Sequence, residues 1–264
     1  MKTTAIYLTS TSLIALLLAS PLAADETNMR YEAQAGSYQF EVDHQIRAGA
    51  DYSHPAERTF SMTLDMQKAD QAVTTTLNEV SGTYTAHEMT QHLSTRHLQG
   101  KSLEFTSTND GRTLMQNAQQ NDPRIGLGAI TEEGYPISMA LADMLPVLPS
   151  SAVETGSNWT TEGEVNSLVG WGWINGELVS RHTVTDVNEE NGNIIVSVES
   201  TAEGTINETA GEASYSLTRS TNWQFNATEG RLVSLSMVEE AFAVSKLPQG
   251  DVPVHQITRA SLSP

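Results

Sequence analysis

The chain contains no cysteine. That excludes a disulfide framework, a thiolate zinc site, a cysteine nucleophile and a lipidated N-terminal cysteine. Basic residues are scarce as well, with 14 Lys and Arg against 32 Asp and Glu, a formal charge of −18 over 264 residues. A binder of nucleic-acid phosphates needs a basic stripe to displace counterions, so nucleic acid is not an expected partner. Aromatic residues make up only 6% of the chain, so each one is a candidate for a large share of the core or of a site. Long apolar runs are missing too. Ile125 to Pro149 is broken by Glu132, Glu133, Asp143 and three prolines, and no stable transmembrane anchor is expected.

The first 24 residues differ from the rest. Lys2 is the only charge before Asp25, Leu13 to Ala19 is a short apolar stretch, Pro21 breaks it, and Ala23 and Ala24 are small. This is the pattern of a secretory signal peptide cleaved near Ala24–Asp25. As a helix its apolar stretch would span about 10 Å, against a bilayer core of roughly 30 Å. Loss of Lys2 makes the mature chain one unit more negative. A periplasmic or secreted bacterial protein, held together without disulfides, is the expectation.

The remaining chain alternates with period two. Tyr38-Gln-Phe40-Glu-Val42, Phe60-Ser-Met62-Thr-Leu64-Asp-Met66 and Ile195-Val-Ser-Val198 read as antiparallel strands with one face on a core and one in water. Asn191-Gly192 and Asp110-Gly111 are hairpin-turn dipeptides. The stretch Leu103 to Leu114 recurs as Trp223 to Val233, Asp70 to Leu77 as Asn191 to Val198, and Phe40 as Trp159. These matches are all offset by about 120 residues, as a duplication would leave them. The expected fold is mainly β: a curved antiparallel sheet, half-barrel or barrel, of about ten strands from two similar halves. Residues 25–264 form a single β-rich domain with halves 25–130 and 150–264. Residues 131–149 join them as a helix and a Pro-rich link. The one central helix is predicted to start at Pro136 and stop before Pro146. Because it is apolar around most of its circumference, it needs cover and is predicted to lie on the concave side of the sheet.

Motifs for chemistry are few. The chain holds no G-x-S-x-G elbow, no H-E-x-x-H, no P-loop and no G-x-G-x-x-G after a strand. His87, His92 and His97 recur every fifth residue. Neither a strand nor a helix brings that spacing to one point, so these are expected to be surface histidines. Asp186 to Gly192 is similar to a calcium loop but has Asn191 and Ser197 where an EF-hand requires glycine and glutamate, and reads as a solvated hairpin turn. No metal site, cofactor or catalytic residue is predicted. Gly170-Trp171-Gly172-Trp173 in a strand would put both tryptophans on one face, either filling the core or forming a ligand platform. With Met139 and Leu141 of the central helix, Trp171 and Trp173 are the candidate ligand-binding residues.

Leu145-Pro-Val-Leu-Pro149 followed by Val153-Glu-Thr-Gly156-Ser-Asn-Trp159, with the later Gly230-Arg231-Leu232 turn, resembles an uncharacterised family of exported bacterial β-rich proteins. The predicted half-barrel with a helix on its open side also resembles periplasmic lipoprotein carriers, at the level of fold alone. The expected function is non-enzymatic: an exported protein binding an apolar or amphiphilic ligand in a curved sheet. The alternatives are a cell-envelope structural or protein-interaction module, with an envelope protein as partner, and a hydrolase with a dispersed site.

Overall fold

The computed structural model of the chain describes residues 26–32, 35–69, 72–107, 113–114, 124–125, 135–137, 145–169, 172–205, 215–247 and 250–264. The first half contributes β1 (Ala35–Ala48), β2 (His54–Ala69), β3 (Ala72–Ala86), β4 (Met89–His92), β5 (Ser102–Ser107) and β6 (Thr113–Leu114). Two short strands follow, β7 (Arg124–Ile125) and β8 (Tyr135–Pro136). The second half contributes β9 (Asn158–Val169), β10 (Gly172–Glu190), β11 (Asn193–Thr205), β12 (Tyr215–Asn226), β13 (Arg231–Leu247) and β14 (Gly250–Ser263).

Eleven strands pair antiparallel in the order β6-β5-β3-β2-β1-β14-β13-β12-β11-β10-β9, with β4 added beside β3 and β7 paired only with β8. The fold is therefore mainly β, with one open sheet. The expected barrel is not closed: β6 and β9 are its two edges. Closure would require a two-residue β6 to pair with a twelve-residue β9, and so short an edge offers little ladder to continue. The path centres on the pair of β1 and β14, where Val42 faces Ala260. Each half then runs outward from that seam.

The alternation read from the sequence is the burial pattern. From β1, Tyr38, Phe40, Val42, His44, Ile46 and Ala48 are buried; from β2, Ala56, Arg58, Phe60, Met62 and Leu64. The Asn191-Gly192 turn joins β10 to β11 with φ of 52° and 81°. Positive φ at both central positions is what a two-residue hairpin requires. Asp186 to Glu190 end β10 just before that turn, so the calcium-like loop is a hairpin. The sheet curls. β9 lies four places from β13 and five from β14, about 19 and 24 Å away in a flat sheet. Yet Cα atoms of β9 come within 8 Å of both. Bulges between Thr63 and Leu64, Val184 and Asp186, and Gln224 and Phe225 add bend.

The expected central helix is not borne out as drawn. Among the described residues no α-helix reaches seven residues. Pro136 sits in β8 opposite Arg124, in a two-stranded ribbon where its missing N–H is tolerated, and Ile137 directly after it is helical. Residues 138–144, with Met139 and Leu141, lie outside the described residues; the neighbouring Ile137 is fully buried. Chain segments outside the large sheet do cover one end of the inward face. Met29 and Tyr31, Leu98, Ile137, Leu148 and Val153 join the main core with Phe40, Met62, Trp223, Phe225 and Leu262. Residues 27 and 153 exchange two backbone hydrogen bonds, at 2.8 and 2.9 Å, and the Tyr31 hydroxyl donates to the Pro146 carbonyl at 3.0 Å. Gly230 ends the turn before β13 with φ of 64°, and its carbonyl accepts from the Glu32 N–H at 3.0 Å. A Cβ there would stand 2.8 Å from the Arg30 carbonyl oxygen, so only glycine fits. Among the described residues no helix is long and apolar enough to cross a membrane.

Candidate functional site

The inward face is not uniformly apolar. Direct cross-strand pairing lines up Tyr84, Arg58, His44, Thr258, Glu239 and Arg219 as one row across β3, β2, β1, β14, β13 and β12. Arg58 is fully buried, Glu239 is 2% exposed and His44 is 3% exposed. The row runs between the main core on one side and a second apolar cluster on the other. That second cluster comprises Ile46, Ala48, Ala56, Tyr84, Val169, Ala241, Ala243 and Val254.

Hydrogen bonds lock the row. Arg219 Nε and Nη2 both donate to Glu239 Oε2, at 2.9 and 2.7 Å. The Gln256 amide, one position along β14 in the next inward layer, donates to His44 Nδ1 at 3.2 Å and to Thr258 Oγ1 at 3.0 Å. Thr258 Oγ1 also lies 3.0 Å from His44 Nδ1. With Nδ1 accepting, the neutral imidazole carries its proton on Nε2. Burial, and then the Arg58 guanidinium beside it, hold the His44 pKa down to about 3. Both causes act against a positive ring, so His44 is neutral near pH 7.

A second polar cluster lies in the neighbouring inward layer on β9 to β12. Ser200 Oγ is 2.7 Å from His182 Nδ1, and His182 Nε2 is 2.9 Å from Thr161 Oγ1. Trp223 Nε1 donates to the same Ser200 oxygen at 3.0 Å. The Ser200 hydroxyl is thus left to donate to Nδ1, and Nε2–H donates to Thr161. His182 stacks on Trp159 at 4.7 Å and 16°, with Trp223 edge-on to both rings. Burial lowers its pKa to about 4. A serine hydrogen-bonded to a histidine is the first half of a nucleophilic site. Here the third member is a threonine, Ser200 is 7% and His182 6% exposed, and a tryptophan N–H occupies the oxygen. The arrangement satisfies buried polar atoms.

The residues proposed from sequence are dispersed. Trp171, Met139 and Leu141 lie outside the described residues. Trp173 stands in β10 with its backbone opposite Leu168. The Gly170 to Trp173 segment is not one continuous strand, because Val169 pairs with Gly172 and the chain reverses between them. His87, His92 and His97 are exposed, in a turn, on β4 and in a short 3-10 turn respectively. Sequence reasoning missed the buried charged row entirely. The available signal was Arg58, a charged residue in phase with Phe60 and Met62.

Comparison with known proteins returns no matching family model and no matching curated protein.

Proposed function

We propose that the chain is an exported, non-enzymatic binding protein. In this reading its two related halves form a half-barrel, and the inward face holds an apolar or amphiphilic small molecule. The observation that carries it is the charged row buried between two apolar clusters. Burying an ion pair costs several kcal/mol per ion, and a well-packed apolar replacement is often neutral or stabilising. A face that served only to hold the sheet together would do without Arg58, Arg219 and Glu239. An amphiphile uses both parts, its head against the row and its tail against apolar surface.

The second cluster favours this division. Ala48, Ala56, Ala241 and Ala243 are all small, whereas the main core is filled by Phe40, Met62, Trp223 and Phe225. In this reading the aliphatic tail lies against these small side chains beside the row. The test is organic extraction of protein purified without detergent from a bacterial periplasm, followed by mass spectrometry. One class of amphiphile at near-stoichiometric amount is expected. An empty extract, with no uptake of added amphiphile, overturns the proposal.

A further inference from the structure

The opposite, outward face of the same sheet carries a groove of about 640 Å³. That volume lies in the range of small-molecule sites. It forms because five adjacent strands, β3, β2, β1, β14 and β13, place short side chains there, among them Thr83, Thr59, Ser61 and Ser236. The hydroxyls are already ordered: Thr59 and Thr83 share a hydrogen bond of 2.7 Å across β2 and β3.

Asp43 stands in this groove on β1, and its Oδ1 is buried with no hydrogen-bond partner. Its other oxygen accepts only a long bond, 3.4 Å, from Gln45. A buried carboxylate oxygen without a donor is rare in a native fold, because its desolvation is then uncompensated. Arg259 is directly opposite Asp43 on β14, and His92 stands at the far wall beside Thr83. One groove therefore presents a strong acceptor, strong donors and hydroxyls that do both. Groups able to donate and accept at neighbouring positions match it, and these are the hydroxyls of a sugar.

The same face continues into an apolar platform. Phe242 on β13 is 42% exposed and stacks on His255 at 4.4 Å and 5°, with the exposed Tyr52 edge-on to His255. Phe242 is four residues along β13 from Val238 in the groove, about 13 Å. Two or three pyranose rings span that distance. A polyanion, by contrast, meets a chain of net charge −18.

We infer that this outward groove is a second binding site, for a neutral oligosaccharide, with Asp43 and Arg259 fixing one sugar ring and Phe242 supporting another. The site is independent of the amphiphile proposed for the inward face. The full chain is titrated with chitotetraose, cellotetraose and maltotetraose by saturation-transfer NMR and calorimetry. At least one binds, and Asp43→Ala and Arg259→Ala each weaken it by about tenfold or more. Both substitutions lie on the outward face, and the melting temperature stays near that of the parent. Phe242→Ala weakens the tetrasaccharide and leaves the matching disaccharide unchanged. No saturation transfer from any of the three sugars at millimolar concentration, or binding that survives both groove substitutions, overturns the inference.

Discussion

Arg219 on β12 and Glu239 on β13 stand directly opposite each other on the inward face, and two guanidinium nitrogens converge on a single carboxylate oxygen. Their side chains are 9% and 2% exposed. So buried a pair constrains the fold in one way when broken and in another when removed whole.

Glu239→Ala leaves the Arg219 charge without its carboxylate, and a loss of about 3–5 kcal/mol of stability is expected. The double replacement Arg219→Met with Glu239→Leu removes both charges and restores most of that loss. Chemical denaturation of the three proteins reads the difference. A double variant as unstable as the single one would show that the pair itself, rather than an orphaned charge, holds the sheet.

His44 and His182 give stability a defined dependence on pH. Both are depressed in the folded state, to about 3 and about 4, from an ordinary value of 6.5. The unfolded chain therefore binds protons first as pH falls. The stability each contributes is complete above pH 6.5 and is lost progressively down to the folded values. Each histidine removes about 1.4 kcal/mol per pH unit inside that window. Urea unfolding at pH 7 and pH 5 measures the slope. His44→Gln and His182→Gln should each flatten it, and an unchanged slope in both would contradict the assignment.

The Ser200 and His182 pair predicts stability without catalysis. Ser200→Ala strips an acceptor from the Trp223 N–H and a donor from His182, at a cost of about 1–3 kcal/mol. Hydrolysis of p-nitrophenyl acetate by the parent and by Ser200→Ala should proceed at the same background rate. A parent rate that falls on substitution would make this pair a nucleophile and its base.

Much of the sheet was legible because burial follows period two. Tyr38, Phe40 and Val42 point inward as their alternation predicts, and Asn191-Gly192 turns where its dipeptide requires. The buried row was not legible. His44, Arg58 and Glu239 share the phase of Val42, Phe60 and Met237, so along the chain they read as ordinary polar interruptions. Only the register makes them neighbours, and His44 and Thr258 are 214 residues apart. The strand pairing of Pro136 was hidden for a related reason: a proline suits a helix start and a ribbon strand equally, and its partner Arg124 is set by tertiary pairing.

The central claim, that the inward face binds an amphiphile through the row, is tested most directly by energy transfer from tryptophan to a dansylated fatty acid. Trp223 is buried on that face with Trp159 beside it. Titration of solvent-extracted protein should give saturable transfer at one probe per chain. Arg58→Met, folded by circular dichroism, should weaken it by about tenfold, and Asp43→Ala on the outward face should leave it unchanged. Transfer that never saturates, or that is identical in the parent and Arg58→Met, contradicts the claim.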